Sequence, residues 1–262
     1  MLYRLLIIAA LAVSTFTALP AIACGGEDSH CRIGKRWYHA TPPPGWDGVS
    51  PLPVLLHFHG WGRKSHGVLK NSRIAKAAAE AGALLIAPQG EGRTWSFWRS
   101  ESTDSDFAVA VLKDAATKWP IDQARIVVSG YSYGGAMAWR MACDKGAIVN
   151  AYLPISGSLW FSEDETCAEP VRLIHLHGLN DNVMDYPYGP DGDETAAVAL
   201  WRNENQCRPE PDKDWKQLNF RCREWTGCGG PPVTLCTHAG GHYIPGTWLG
   251  QVLPGALNPD AT

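Results

Sequence analysis

The chain has 262 residues, of which 45% are hydrophobic, and it carries 23 basic residues (Lys and Arg) against 26 acidic residues (Asp and Glu). This length and composition allow one large domain with a full hydrophobic core. The sequence has a slight excess of acid and no basic stripe, which argues against nucleic acid as a partner.

The first 23 residues have the organisation of a secretory signal peptide. Arg4 gives a positive start, "LLIIAALAV" is a short apolar stretch, and Ala21-Ile22-Ala23 is an A-x-A cleavage site. The apolar run is too short to span a membrane. We therefore expect residues 24–262 to form a single secreted domain, in the periplasm or the medium. A lipoprotein acylated at Cys24 is disfavoured, because Ala21 stands where such a signal requires Leu.

Short apolar runs alternate with segments of helical character. Strands are predicted at Arg36–Thr41, Val54–His59, Leu84–Ala87, Ile126–Ser129, Tyr152–Ile155, Val171–His177 and Val233–Thr237. Helices are predicted at Val68–Ala81, Ser105–Lys118, Gly135–Lys145 and Glu194–Asn205. This alternation predicts an α/β protein with a mostly parallel central sheet and helices on both faces. Residues 206–232 are polar and rich in Cys and Pro, so we expect a disulfide-pinned loop region.

Eight cysteines follow the predicted cleavage site, and an even number in an exported chain suggests four disulfides. Cys24 and Cys31 are close enough in sequence to close a small loop, and Cys143 and Cys167 could pair locally. Three pairings remain open for Cys207, Cys222, Cys228 and Cys236. The absence of a C-x2-C pair argues against zinc.

The motif G-x-S-x-G occurs at Gly130–Gly134, between a predicted strand and a predicted helix. In hydrolases that use this motif, the serine sits on a sharp turn that lifts its hydroxyl clear of the sheet, and the glycines avoid collisions with neighbouring backbone. We predict that Ser132 is a catalytic nucleophile. The alternative is a plain glycine-rich turn.

A serine nucleophile needs a base and an acid that orients the base. In this arrangement the acid and then the histidine follow the serine in the chain. Asp181 lies just past a predicted strand, with Asp185 and Asp191 as nearby competitors. His242 lies in the glycine-rich segment "THAGGHYIPG", where His238 is the competitor. We predict Asp181 as the acid and His242 as the base.

The segment "HFHGWG" at 57–62 ends an early strand and is suited to an oxyanion hole. We predict that the backbone N–H groups of Trp61 and Tyr133 form it, and that the His59 ring tethers the loop without taking part in the chemistry. Four tryptophans near strand ends or in loops are candidates to line the substrate cleft, with plain packing as the alternative: Trp61, Trp95, Trp98 and Trp160.

These motifs, taken in order, resemble the secreted α/β-hydrolase esterases that include feruloyl esterases, acetylxylan esterases and polyhydroxybutyrate depolymerases. The segments that carry the resemblance are "LLHFHGWG", "IAPQG", "DFAVAVL", "ARIVVSGYSYGGAMAWRMAC", "HLHGLNDNVMDY" and "GGHYIPG". The resemblance implies an α/β-hydrolase fold, ester hydrolysis through Ser132, Asp181 and His242, and disulfides Cys207–Cys228 and Cys222–Cys236. Tyr133 and Ile244 depart from the family pattern near the acyl site, so the substrate is not carried over.

Three other functions are weighed against the serine esterase. A metal hydrolase could use the pairs His57/His59 and His175/His177, but no carboxylate-rich ligand set accompanies them. A non-catalytic sugar- or polymer-binding protein would suit the 12 tryptophans, but the triad residues are all present. A serine peptidase on this fold usually carries an added domain. The triad itself requires neither a cofactor nor a metal.

Overall fold

The computed structural model describes residues 24–160, 166–184, 186 and 195–258. The predicted signal peptide at 1–23 lies outside the described residues, as do the competing acids Asp185 and Asp191. None of the helices described reaches the length and apolar character needed to cross a lipid bilayer.

The described residues contain ten strands: β1 Cys31–Ile33, β2 Arg36–Thr41, β3 Leu52–Phe58, β4 Leu84–Pro88, β5 Ile121–Tyr131, β6 Ala151–Ile155, β7 Leu173–Gly178, β8 Lys213–Gln217, β9 Phe220–Trp225 and β10 Val233–His238. They form one sheet in the order β1-β2-β4-β3-β5-β6-β7-β10-β9-β8. The six strands from β4 to β10 in this order run parallel, and antiparallel pairs flank them at both edges. The predicted mostly parallel central sheet is therefore confirmed.

Among the described residues, six α-helices connect or flank these strands: α1 Ser65–Lys70, α2 Ser72–Glu80, α3 Thr103–Ala116, α4 Tyr133–Lys145, α5 Ala196–Glu204 and α6 Trp248–Leu257. They cover both faces of the sheet. Along β3, Val54 and Leu56 pack in the same core as α3, α4 and α5, while Leu55 packs with α2 and α6. This follows from the alternation of side chains across a strand.

The predicted elements differ from the observed ones in several places, among them the unpredicted strand β1 and the earlier start of β5 at Ile121. The expected helix Val68–Ala81 is two helices, because Asn71 ends α1 and its side chain accepts a hydrogen bond from Arg73 N to cap α2. The expected loop at 206–232 contains the hairpin β8–β9, whose outer strand is largely exposed and therefore lacks an apolar pattern. Helix α6 was not predicted, since Gly250, Pro254 and Gly255 all argue against a helix.

Four disulfides join the eight cysteines: Cys24–Cys31, Cys143–Cys167, Cys207–Cys228 and Cys222–Cys236. The last one links the neighbouring strands β9 and β10, so it fastens the hairpin to the central sheet. Cys143–Cys167 links the end of α4 to the segment before β7.

Candidate active site

Ser132 occupies a sharp turn between β5 and α4, with φ of 59° and ψ of −123°. A non-glycine residue with positive φ is strained, and such strain is concentrated at functional sites. The turn also brings backbones very close together. A Cβ on Gly130 would lie 2.0 Å from the Gly134 carbonyl oxygen, and a Cβ on Gly134 would lie 2.0 Å from the Phe58 carbonyl oxygen. Both positions therefore require glycine, which explains the residues flanking the serine.

The hydroxyl of Ser132, the ring of His242 and the carboxylate of Asp181 form a continuous hydrogen-bonded chain. His242 Nδ1–H donates to Asp181 Oδ2 at 2.7 Å, and Ser132 Oγ–H donates to His242 Nε2 at 2.9 Å. Because the carboxylate can only accept, it fixes the proton on Nδ1 and leaves the Nε2 lone pair facing the serine. In this tautomer the imidazole can accept the serine proton.

The loop that follows β7 holds Asp181 firmly. Asp181 Oδ1, the carboxylate oxygen that does not bond to His242, accepts hydrogen bonds from the backbone N–H groups of Val183 at 3.0 Å and Met184 at 2.9 Å. His177 Nε2–H donates to the Met184 carbonyl at 2.7 Å and lies 3.5 Å from Asp181 Oδ2. Burial lowers the pKa of His177, against the opposing effects of that carbonyl and of the carboxylate. The His177 ring thus supports the loop that carries Asp181.

The loop that carries His242 is fixed from two sides. Tyr131 Oη–H donates to the His242 carbonyl at 2.9 Å, and the two rings lie 4.9 Å apart. Burial raises the pKa of Tyr131 to about 12, so the phenol keeps its donor hydrogen. Asn180 N–H donates to the Gly240 carbonyl at 3.1 Å, which ties the base loop to the acid loop. Sequence reasoning did not identify Tyr131 or Asn180 as contributors.

The segment after β3 lies against Ser132. A Cβ on Gly60 would lie 3.6 Å from Ser132 Cβ. In the part of the chain that the structure describes, the N–H groups of Trp61 and Tyr133 donate to no backbone carbonyl. These are the two donors expected for the oxyanion hole, and both remain available to a ligand.

The ring of His59 holds this segment in place. His59 Nδ1–H donates to the Gly60 carbonyl at 2.9 Å, and its Nε2 accepts from Gly90 N–H at 3.1 Å. Trp95 Nε1–H donates to the His59 carbonyl at 2.7 Å. Burial lowers the pKa of His59, which suits a neutral ring that donates at one nitrogen and accepts at the other.

A cavity of about 1150 Å³ opens above Ser132 and His242. Trp61, Trp160, Tyr133 and Ile244 contribute to its wall, and the two tryptophans are largely exposed, at 70% and 53%. Trp61 and Trp160, two of the predicted cleft residues, thus lie at this cavity.

The other two predicted cleft tryptophans lie elsewhere. Trp95 is 1% exposed and its ring meets Phe58 edge-on at 4.9 Å, so it supports the loop from within the core. Its assignment to the substrate cleft is wrong. Trp98 is half exposed but outside the cavity lining, with its ring edge-on to Phe97 at 5.0 Å. The sequence shows only that Trp95 and Trp98 follow a strand end or lie in a loop. Whether each side chain is buried depends on the path that the loop takes in the folded chain.

The other candidate histidines, His57, His175 and His238, are buried. Burial lowers the pKa of His57 to about 3 and that of His175 well below its ordinary value, and His175 Nδ1–H donates to the Pro154 carbonyl at 2.9 Å. His238 Nδ1 accepts from Gly240 N–H at 3.0 Å and its ring packs against Tyr243, away from Ser132. Within the described ranges, no three His, Cys, Asp or Glu side chains are grouped to hold a metal ion.

The chain is similar in sequence to proteins named as feruloyl esterases. It is 29% identical over 238 residues to feruloyl esterase C of Emericella nidulans, covering 88% of this chain and 83% of that protein. It is 26% identical over 225 residues to feruloyl esterase B of Piromyces equi, covering 78% of this chain and 42% of that protein. No family model matches the chain. The resemblance indicated by the sequence motifs is confirmed.

Solved structures share the fold at low sequence identity. An acetyl xylan esterase from Aspergillus awamori superposes with a TM-score of 0.62 at 16% identity, covering 80% of this chain and 90% of that one. A Bacillus cereus carboxylesterase gives a TM-score of 0.56 at 16% identity, with coverages of 85% and 94%. These likenesses confirm the α/β-hydrolase fold expected from the sequence.

Proposed function

We propose that this carboxylic ester hydrolase works through a Ser132–His242–Asp181 triad and a covalent acyl-enzyme. One observation carries the proposal: the unbroken hydrogen-bonded chain from Ser132 Oγ through the His242 ring to the Asp181 carboxylate, with distances of 2.9 and 2.7 Å. This chain of hydrogen bonds begins at Ser132, in a strained turn that requires glycine at positions 130 and 134.

The proposed reaction has two halves. Ser132 Oγ attacks the ester carbonyl carbon while His242 Nε2 takes the hydroxyl proton, and the carbonyl oxygen becomes an oxyanion that accepts hydrogen bonds from Trp61 N–H and Tyr133 N–H. The tetrahedral intermediate collapses, the bond to the alcohol oxygen breaks, and His242 gives its proton to that oxygen. Water then attacks the acyl-enzyme by the same steps and releases the acid and free Ser132.

The substrate we propose is a feruloyl or acetyl ester of a plant polysaccharide. Two features support it: the open cavity with exposed tryptophans at its wall, and the similarity to proteins named as feruloyl esterases. A polyhydroxyalkanoate-type polyester is the second candidate, since the same exposed aromatic surface would suit an apolar polymer chain.

We further propose that the protein acts outside the cytoplasm, in the periplasm or the medium. Four disulfides among the described residues support an oxidising compartment, and so does the signal peptide predicted at residues 1–23.

The test is Ser132→Ala, assayed on methyl ferulate, acetylated xylan, a short p-nitrophenyl ester and a polyhydroxybutyrate film. We expect a loss of order 10⁴-fold with the fold intact. Ser129→Ala is the matched control, because Ser129 lies on β5, the strand that leads into the turn, and its side chain donates a hydrogen bond to the Leu153 carbonyl. The control should keep turnover. Near-wild-type turnover in Ser132→Ala would refute the nucleophile, and a wild-type protein that binds but hydrolyses none of the four would favour the binding-protein alternative.

A further inference from the structure

A second cavity of about 620 Å³ adjoins the active-site cavity, and both are lined by Lys64 and His66. Its other walls come from the β1–β2 turn and from the segment after β4, including Lys35 and Arg93. A long ligand whose ester group lies at Ser132 could therefore continue past Lys64 into the second cavity.

The linings of the two cavities are positively charged, and Lys64 belongs to both. Lys35, Arg63, Lys64 and Arg93 are exposed, and none of these four side chains forms an ion pair within the described residues. Two further cations of the lining are already neutralised, since Lys70 pairs with Glu27 at 3.4 Å and Arg36 pairs with Asp104. Among the described residues, Glu91 is the one carboxylate that lines either cavity.

This concentration of positive charge is a local feature, since acidic residues outnumber basic ones in the chain as a whole. Cations lining a concave surface raise the local concentration of anions and favour their association. Within the described residues, four cations without an ion pair stand against one carboxylate, and this balance favours a negatively charged ligand.

Aromatic rings accompany the cations. Trp61 stands 70% exposed at the active-site cavity, and half-buried Trp37 lines the second cavity beside His30, with ring centroids 5.7 Å apart. An indole offers a flat apolar face, which suits the C–H face of a sugar ring. Carboxylates borne by sugar rings would meet the lysines and arginines between and around the two indoles.

We propose that the ester is carried by an acidic, uronate-containing polysaccharide that lies across both cavities. Its sugar rings pack on Trp61 and Trp37, and its carboxylates pair with Lys35, Arg63, Lys64 and Arg93. The inference rests on the proposed esterase function and names the substrate class of that site. An anionic lipid surface fits less well, because both groups of cations line concave cavities that a flat bilayer does not enter.

The test compares two synthetic substrates that differ only at C6: a feruloylated trigalacturonide and the matching feruloylated trigalactoside. At low ionic strength we expect kcat/KM to be about tenfold higher for the acidic substrate, since three exposed ion pairs each contribute a few-fold at most. The difference should lie mainly in KM. It should shrink to about twofold or less in 0.5 M salt, where charges more than a few ångströms apart are screened.

The variant is the double substitution Lys35→Glu/Arg93→Glu in the second cavity. It should bring the ratio of the two kcat/KM values to about one or below. Lys113→Glu/Lys216→Glu is the matched control, because it makes the same change in net charge at two exposed lysines outside both cavities. The control should keep the wild-type ratio.

Three results would overturn the inference. They are equal kcat/KM values for the two trisaccharides in the wild type, an equal fall of the ratio in the control, and binding to phosphatidylglycerol vesicles that trigalacturonate does not displace. In each case hydrolysis of methyl ferulate would leave the esterase proposal standing. Failure of the wild type to hydrolyse any neutral small ester would instead refute the proposed function.

Discussion

Replacing Asp181 with Asn should inactivate the protein through the tautomer of a neighbouring ring. The two oxygens of Asp181 have different partners: Oδ1 accepts from two backbone N–H groups at 3.0 and 2.9 Å, and Oδ2 accepts from His242 Nδ1. An asparagine has one oxygen and one NH2 group, so it can serve only one of these two sides as an acceptor.

The loop decides which way the amide turns. An NH2 group facing Val183 N–H and Met184 N–H would leave two donors without an acceptor, at about 1–3 kcal/mol each. The amide oxygen therefore stays with the loop, and the NH2 group faces His242. His242 Nδ1 must then accept, its proton moves to Nε2, and Nε2 can no longer take the proton of Ser132.

We expect Asp181→Asn to lower kcat by up to about 10⁴-fold, equivalent to roughly 5 kcal/mol of transition-state stabilisation, with KM within a few-fold of wild type. The assay is steady-state hydrolysis of methyl ferulate, with thermal unfolding to check the fold. Asp185→Asn is the control and should change little. Retention of more than about a tenth of wild-type kcat by Asp181→Asn, or a large loss in Asp185→Asn, would refute this reasoning.

Four further outcomes are expected. Gly134→Ala should destabilise the fold by about 3 kcal/mol or more in urea unfolding, because the added Cβ would lie 2.0 Å from the Phe58 carbonyl oxygen. Gly255→Ala is the control and should be neutral, because no atom lies within 4 Å of the added carbon. EDTA should leave hydrolysis unchanged; inactivation that zinc reverses would point to the paired histidines instead. Non-reducing peptide mapping should recover Cys207–Cys228 and Cys222–Cys236, and a free thiol would contradict this. Burial lowers the pKa of His57 to about 3. Below about pH 6.5 the unfolded chain therefore takes up a proton at His57 that the folded chain does not, and the free energy of unfolding falls as the pH drops. His57→Gln should therefore lose about 2 kcal/mol less than wild type between pH 7 and pH 5 in urea unfolding, and an equal loss would contradict the assignment.

The positions of the central strands and of the nucleophile turn could be predicted because their signals are local. The run Ile126–Ser129 is buried on both faces, and it ends at a turn where close backbone contacts require glycine at Gly130 and Gly134. The positions of Asp181 and His242 needed one more step. They follow strands β7 and β10, which run parallel as neighbours, so both residues emerge at the same edge of the sheet.

Other features depend on contacts between segments that are far apart in sequence. Trp95 and Trp61 both lie in loops, and nothing in the sequence distinguishes them. In the folded chain Trp95 is buried against Phe58, whereas Trp61 is exposed to solvent. The basic residues that line the second cavity likewise include Lys35, Lys64 and Arg93, which come from three separate segments. None of these segments is strongly basic by itself, so the sequence shows no basic stripe even though the surface carries a basic cluster.

The residues that hold the loops of Asp181 and His242 in place are distinct from the residues that face the cavity. Asn180 N–H donates to the Gly240 carbonyl and Asn180 Nδ2 donates to the Ala239 carbonyl, so two hydrogen bonds join the loops that carry Asp181 and His242. Positioned groups of this kind stabilise a transition state because they need little reorganisation during the reaction. The side chains of Trp61, Arg63 and Lys64 face the cavity from a different loop and form none of these contacts. Substrate preference can therefore change at that loop through side-chain substitutions, while the distances between Ser132, His242 and Asp181 stay fixed.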